Sequence, residues 1–120
     1  MEAILKQGLE SLGLDAAAIP TLTEFARRLL EKNKVMNLTA ITEPRDVATL
    51  HLLDCAYLLT AADFRGQAVV DVGTGAGFPG MPMAILEPTA RLTLLDSLGK
   101  RVKWLSELSA QLGAAPVECI

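Results

Sequence analysis

Four glycines follow a short apolar run in the middle of the chain, and their spacing is suited to holding a nucleotide-like ligand. The segment reads Asp71-Val72-Gly73-Thr74-Gly75-Ala76-Gly77-Phe78-Pro79-Gly80. Glycine adopts positive φ and lets a ligand approach the backbone closely. A helix that begins after such a turn offers free N–H groups to an anionic group. The segment therefore predicts a ligand-binding loop between a strand and a helix.

The pattern of this loop fits two ligands. The stretch from Gly75 to Gly80 satisfies G-x-G-x-x-G, the dinucleotide pattern. Asp71 with Gly73, Gly75 and Gly77 also makes D-x-G-x-G-x-G, which resembles the first motif of class I S-adenosylmethionine methyltransferases. A carboxylate at the strand end suits the cationic ammonium and sulfonium of that cofactor and is unfavourable beside a pyrophosphate, so Asp71 favours the methyltransferase interpretation. A tight turn without a ligand is the third interpretation.

The elements around the loop predict an α/β fold. Apolar runs indicate strands at 68–72, 91–95 and from Pro116 onward, and helical spacing indicates helices through 83–86 and over about 98–112, the latter ending at Gly113. Strand–helix–strand–helix–strand order is typical of a right-handed parallel unit. Asp96, directly after the second strand, is placed to accept hydrogen bonds from ribose hydroxyls under either ligand interpretation. Three parallel strands are half of a doubly wound sheet, so we expect the front part of a longer protein.

Residues 1–62 differ from the rest in the spacing of their apolar residues, which is helical. We interpret them as an N-terminal helical region preceding the sheet of residues 63–120. Apolar residues recur at helical spacing as far as Gly13, which predicts a first helix that stops there. Thr21-Leu22-Thr23-Glu24 reads as a capping box at the start of a second helix. Pro44 suits the first turn of a third helix over roughly 44–60.

Composition limits the class of protein. The chain has 120 residues, of which 51% are hydrophobic and 21% charged, enough apolar side chains for a core and about one domain in length. No window reaches the roughly 18 uncharged apolar residues of a membrane span, and the first residues do not read as a secretory signal. Cys55 and Cys119 are too few for a disulfide framework or a metal cluster. We therefore expect a cytoplasmic protein with neither a membrane segment nor a metal.

The net charge of −3 excludes a globally basic nucleic-acid binder but leaves room for a local basic patch. Two clusters qualify: Lys100, Arg101 and Lys103 at the start of the last predicted helix, and Lys32 and Lys34 near the end of an earlier one. They predict phosphate contacts with RNA. The alternative is a solvated helix face, and Lys32 and Lys34 also suit a helix C-terminus.

His51 and Asp54 are three residues apart on the third predicted helix, so their side chains can meet. They either line a cofactor or RNA pocket or form a polar pair that fastens the helix to the sheet. The second interpretation is favoured because polar helix pairs are commoner than active sites.

Four segments, in order, resemble one family over nearly the whole chain. They are Asn37-Leu38-Thr39-Ala40-Ile41, His51-Leu52-Leu53-Asp54, the run from Asp71 to Pro82, and Thr93-Leu94-Leu95-Asp96-Ser97-Leu98-Gly99-Lys100-Arg101-Val102-Lys103. Together they resemble the RsmG family, also called GidB, the bacterial methyltransferases of small-subunit ribosomal RNA. The glycine motif is shared by many enzymes, whereas the Asp-Ser-Leu-Gly-Lys-Arg block is far more specific to this family.

The resemblance implies a class I methyltransferase (Rossmann-like) fold, with S-adenosylmethionine as cofactor and 16S rRNA of the small ribosomal subunit as partner. The implied reaction is methyl transfer to N7 of a guanine in the 530 loop. Guanine N7 carries a lone pair and no proton, so the reaction needs positioning rather than a general base, and we name no catalytic residue. The expected cofactor-binding residues are Asp71, Gly73, Thr74, Gly75, Gly77, Phe78, Asp96 and Ser97.

Two rival functions stay open from the sequence: a fragment of a nicotinamide-dependent oxidoreductase, and a non-catalytic fragment that keeps only an RNA- or ribosome-binding surface. The resemblance also implies that the family's further cofactor contacts lie downstream of residue 120. We therefore expect no independent activity from this stretch, and a monomer for the full-length protein.

Overall fold

A computed structural model describes residues 1–113 and 117–120. The helices are α1 (Glu2–Ser11), α2 (Ile19–Met36), α3 (Pro44–Asp46), α4 (Leu53–Ala61), α5 (Gly80–Leu86) and α6 (Gly99–Leu112). A 3₁₀ turn, Ala16–Ala18, precedes α2, and a π-helical segment, Val47–Leu52, joins α3 to α4. The strands are β1 (Ala68–Val72), β2 (Arg91–Leu95) and β3 (Glu118–Cys119). Pro116, the predicted start of the third strand, lies outside the described residues.

The three strands form one parallel sheet in the order β1-β2-β3, with Ala68 beside Arg91 and Thr93 beside Glu118. The first two strands have the predicted bounds, and α6 ends at Gly113 in the left-handed conformation, as its sequence indicates. The predicted class is confirmed: the described residues form a Rossmann-like sheet of three parallel strands, preceded by helices.

The described helices cover one face of the sheet. Successive right-handed crossovers that advance in one direction place α5 and α6 on the same side. Leu92 and Leu94 of β2 point to that side and are buried. On β1, Val70 and Val72 point the other way and are 55% and 77% exposed.

The N-terminal helices and the sheet share one hydrophobic core. Phe25 and Leu29 of α2 belong to the same buried cluster as Leu94 of β2 and Leu105 and Leu108 of α6. Burying side chains of this size contributes about 1.5–3 kcal/mol each. This packing sets the position of the sheet and its loops relative to α2 and α6.

The start of α2 differs from the predicted capping box. The helix begins at Ile19 with Pro20 in its first turn, so Thr21 already lies inside it and caps nothing. Asp15 instead caps the preceding 3₁₀ turn, its Oδ1 accepting from the Ala17 N–H at 2.8 Å. Because the 3₁₀ turn runs directly into the helix and Pro20 has no N–H, a side-chain cap at Thr21 has little left to satisfy.

The predicted third helix is present but is not one regular helix. Helical backbone runs from Pro44 to Ala61, and its middle is the π-helical segment Val47–Leu52. A π segment widens the turn locally and changes which side chains share a face. Helical periodicity in the sequence does not reveal it.

Candidate functional site

The glycine loop connects β1 to α5 through three residues with positive φ. Gly73, Gly75 and Gly77 have φ values of +72°, +60° and +100°. The Thr74 N–H donates to the Leu95 carbonyl at 2.9 Å, which ties the loop to the end of β2. The loop therefore curls over the carboxyl ends of the strands, where open α/β sheets bind ligands.

Asp71 joins the two ends of this loop. Its Oδ2 accepts from the Thr74 hydroxyl at 2.6 Å and from the Gly80 N–H at 3.0 Å. The second bond satisfies a free N–H at the start of α5, where a negative charge is favourable. Asp71 thus holds the loop in shape, a role that the sequence interpretation, directed at the cofactor's charge, did not include.

Asp96 makes the corresponding connection from β2. Its Oδ2 accepts from the Gly75 N–H at 2.8 Å and its Oδ1 from the Leu98 N–H at 2.9 Å. Arg101 Nη1 lies 3.6 Å from Oδ1, and the carboxylate side chain is 4% exposed. The pKa of Asp96 is lowered below its ordinary value, mainly by the hydrogen bond from the Leu98 N–H and further by the Gly75 N–H and Arg101. Burial opposes this shift in part.

An open cleft of about 640 Å³ lies where these groups meet. We call it the strand-end cleft; it is lined by Val72, Gly73, Gly75, Leu95, Asp96, Ser97, Arg101 and Ile120. A Cβ built on Gly73 or Gly75 would meet nothing within 4 Å, so the backbone here borders empty space. The sequence interpretation did not include Val72, Leu95 or Ile120, although their position at strand ends was a usable signal.

The eight expected cofactor-binding residues therefore divide into two groups. Gly73, Gly75, Asp96 and Ser97 line the strand-end cleft. The other four, Asp71, Thr74, Gly77 and Phe78, are not among its lining residues and support the loop from behind.

Gly77 and Phe78 show this supporting position most clearly. A Cβ on Gly77 would lie 2.9 Å from Leu105 Cδ2, so the residue is packed against α6. The Phe78 ring stacks on His51 at a centroid distance of 4.3 Å and packs against Phe25 at 5.4 Å. A contact between Phe78 and the cofactor stays a prediction.

A second cavity, of about 440 Å³, opens beside α4. We call it the α4 pocket; its walls include His51, Asp54, Tyr57, Leu58, Phe78 and Pro79. It shares the glycine loop with the strand-end cleft, since Gly73 and Gly75 border the cleft while Phe78 and Pro79 border the pocket.

His51 does not pair with Asp54 as the helical spacing suggested. Its Nε2 shares a hydrogen bond with Thr39 Oγ1 at 3.0 Å, and Thr39 Oγ1 also accepts from the Ile41 N–H at 3.1 Å. His51 thereby fastens the loop after α2, instead of bonding along its own helix. Burial lowers the pKa of His51 below 6.5, and the charge of Asp54 opposes this shift in part.

The two cysteines behave as small apolar groups. Cys55 is buried, and burial, reinforced by the charges of Asp54 and Asp71, raises the pKa of its thiol to about 12. Cys119 is half-buried, and burial raises the pKa of its thiol too. Neither thiol forms the reactive thiolate at neutral pH. Within residues 1–113 and 117–120, no group of three or more His, Cys, Asp or Glu side chains is arranged to hold a metal ion.

The packing of α2 against α6 sets the relative direction of the two helices that carry the basic clusters. Arg28 in the middle of α2 hydrogen-bonds Gln111 near the end of α6, and Lys32, one turn further along α2, shares a groove with Trp104 and Leu108, which precede Gln111 on α6. The helices are therefore antiparallel. This orientation directs the end of α2, which carries Lys32 and Lys34, toward the start of α6, which carries the other cluster.

The three basic residues at the start of α6 differ in their surroundings. Lys100 and Lys103 are exposed, as is Lys34 on α2. Arg101 instead lines the strand-end cleft and faces Asp96. The start of α6 lies at the same edge of the sheet as the cleft, because α6 follows β2.

In the described part of the chain, no helix is both long enough and apolar enough to cross a bilayer.

Residues 18–120 match the family described as rRNA small subunit methyltransferase G. This chain is similar to proteins named ribosomal RNA small subunit methyltransferase G. The one from Alkaliphilus metalliredigens is 43% identical over 98% of this chain and 50% of the relative. The one from Clostridium perfringens is 46% identical over 98% of this chain and 50% of the relative. The one from Desulforamulus reducens is 44% identical over 91% of this chain and 47% of the relative. The chain spans about half the length of these curated relatives.

Proposed function

The chain belongs to the family of rRNA small subunit methyltransferase G, and from this premise we propose that it binds S-adenosylmethionine in the strand-end cleft for methyl transfer to ribosomal RNA. The observation that carries the proposal is the empty space against Gly73 and Gly75, bordered by a charged Asp96. Because the chain spans about half the length of its relatives, the complete reaction is proposed for a protein of the relatives' full length.

The residues of the cleft fit this cofactor. A carboxylate has about four acceptor sites; Asp96 accepts a backbone N–H on each oxygen and faces Arg101 at Oδ1, so an acceptor site remains at Oδ2 for a ribose hydroxyl. The exposed Ser97 follows it and can flank the adenosine. Val72 and Leu95 add apolar surface beside the open backbone. The loop itself is held by Asp71 from behind, so these groups are in place before binding.

The reaction we propose is methylation of N7 of a guanine in the 530 loop of 16S rRNA. When bound, S-adenosylmethionine supplies an electrophilic methyl group on a positively charged sulfur. Guanine N7 carries a lone pair and no proton, so the chain has no proton to remove. Its residues then act by holding the reactants in line, a contribution that reaches about 7–11 kcal/mol in well-oriented systems.

The exposed lysines at the end of α2 and the start of α6 support an RNA partner. Lys34, Lys100 and Lys103 are exposed, so they can neutralise phosphates. We infer that the partner is 16S rRNA in the small ribosomal subunit, which locates the protein in the cytoplasm. Such contacts position the RNA and leave base recognition to other groups.

A matched pair of glycine substitutions tests the cofactor site. Gly73→Val should abolish binding of S-adenosylhomocysteine, because the added side chain enters the cleft. Gly13→Val is the control: Gly13 has the same φ of +72° and the same lack of neighbours within 4 Å, but it lies at the end of α1. Isothermal titration calorimetry measures the binding, and circular dichroism shows that both variants fold.

The expected result is heat with S-adenosylhomocysteine and none with NADH, lost in Gly73→Val alone. Heat with NADH and none with S-adenosylhomocysteine would support the oxidoreductase rival and contradict the proposal. Equal cofactor affinity in Gly73→Val and the unmodified chain would show that the cleft is not the binding site.

A lysine substitution tests the RNA surface. Lys103→Ala should weaken binding to 16S rRNA and reduce the salt slope of log K by about 0.7–0.9, the loss of one phosphate contact. Arg101 is unsuitable for this purpose because it also pairs with Asp96. Lys6→Ala, at an exposed position of α1, is the control of equal charge change. Filter binding at several salt concentrations gives the slope, and identical slopes for the two variants would exclude Lys103 from the interface.

A further inference from the structure

The α4 pocket lies on the other flank of the glycine loop and has no role in the function proposed so far. Its walls carry the single histidine and the single tyrosine of the chain. Its volume of about 440 Å³ lies within the range of about 300–1,000 Å³ that small-molecule sites have. Tyr57 is 62% exposed at its wall. A large ring exposed beside an open cavity offers a flat surface to a planar ligand.

Three rings in contact, of which the last two are stacked, connect the core with this pocket. Phe25 packs against Phe78 at 5.4 Å, and Phe78 stacks on His51 at 4.3 Å with an angle of 11° between the ring planes. His51 and Phe78 both line the pocket. Burial keeps the pKa of His51 below 6.5, so the imidazole is uncharged at neutral pH. His51 also lies in the π-helical segment, a distortion that occurs frequently at functional sites.

Asp54 adds a polar group to the same wall. Its side chain is exposed one turn after His51. A carboxylate accepts two hydrogen bonds side by side, and guanine offers two adjacent donors, N1–H and the exocyclic amine. Adenine has an acceptor at N1 and meets this carboxylate unfavourably. A guanine held in this way keeps N7, on its other edge, free of hydrogen bonds.

We propose that the α4 pocket binds a guanine base, stacked against the rings of His51 and Tyr57 with its N1–H and exocyclic amine donating to Asp54. This inference rests on the proposed function, for which it names the site of the target base. Phe78 is three residues from Gly75, so their Cα atoms are at most about 11 Å apart. The α4 pocket and the strand-end cleft therefore border the same short loop.

Nuclear magnetic resonance tests the pocket directly, because the ring signals of His51 and Tyr57 are unique in the spectrum. The 120-residue chain is titrated with guanosine 5′-monophosphate and, separately, with adenosine 5′-monophosphate. We expect saturable upfield shifts of both rings and a preference for the guanine nucleotide of at least about fivefold, the lower end for a bidentate contact. Asp54→Asn should reduce this preference to within about twofold. Glu107→Gln, an exposed acid on α6, should keep it.

Three outcomes would overturn the inference: no ring shifts at millimolar nucleotide, equal affinity for the two nucleotides, or shifts that follow protein concentration without nucleotide. The last outcome would show that a second copy of the chain covers the pocket. Backbone amide shifts of Gly73 and Gly75 with S-adenosylhomocysteine report on the cofactor site in the same samples. If those shifts appear and the ring shifts do not, the proposed function stands and the base pocket fails; the reverse result rejects the cofactor site alone.

Discussion

At the scale of single residues, His51 connects the glycine loop to the loop after α2. Its ring stacks on Phe78 of the glycine loop, and its Nε2 bonds Thr39 in the loop after α2. Both contacts are compatible with a neutral imidazole. Protonation at this half-buried position would add a charge where water is partly excluded. The neutral form of His51 therefore favours the folded state.

This preference predicts a pH effect on stability. Because the folded pKa of His51 lies below the unfolded value of about 6.5, the unfolded chain binds the proton more readily between the two values. The free energy of unfolding should therefore rise with pH across that window and level off above it. Urea unfolding from about pH 5.5 to about pH 7.5 measures this dependence. His51→Gln should flatten it, and parallel curves for the two proteins would contradict the assignment.

At the scale of elements, the beginnings of α5 and α6 show how closely the loop is packed. Both helices start at a glycine, Gly80 and Gly99. A Cβ on Gly80 would overlap Leu94 and lie 2.9 Å from Asp71 Oδ2, whereas a Cβ on Gly99 would meet nothing within 4 Å. Leu94 is fully buried, so it cannot move aside without disturbing the core. The loop side of α5 thus has no spare space.

Gly80→Ala should consequently lower the free energy of unfolding by about 1–3 kcal/mol, the usual cost of overpacking. Gly99→Ala is the matched control at the same helix position, and we expect a change of less than about 1 kcal/mol, in the stabilising direction. Urea denaturation of both variants provides the comparison. Equal effects of the two substitutions would mean that the packing around Gly80 relaxes freely.

At the scale of the whole molecule, the described helices lie on one face of the sheet and leave apolar side chains on the other. Val70 and Val72 are exposed there, and β1 is an edge strand among the described elements. Exposed edge strands with apolar side chains pair readily with other chains. The 120-residue chain should therefore associate with itself in solution.

Val70→Lys should reduce this association, because a lysine on an edge strand opposes pairing. Gln67→Lys adds the same charge at an exposed position just before β1 and should leave it unchanged. Sedimentation velocity over a range of protein concentrations measures both variants. A monomeric unmodified chain at all concentrations, or an equal response of the two variants, would contradict the prediction.

Several features of the molecule follow from the sequence by itself. The bounds of β1 and β2 and the end of α6 at Gly113 depend on local preferences for extended, helical or left-handed backbone, which short segments already express. The family is carried by ordered motifs, and the match over residues 18–120 confirms it. Each of these depends on residue type and spacing alone.

Other features depended on contacts between residues distant in the chain. Asp71 and Asp96 are both predicted from the sequence as cofactor-binding residues, yet only the fold shows that Asp71 braces the loop while Asp96 borders the cleft. His51 bonds Thr39 and not Asp54 because the loop after α2 packs against the π-helical segment. Periodicity describes neighbours along a helix, whereas hydrogen-bond partners and cavity walls are set when separate elements pack together. The division of the site between cleft and support was therefore decided by tertiary structure.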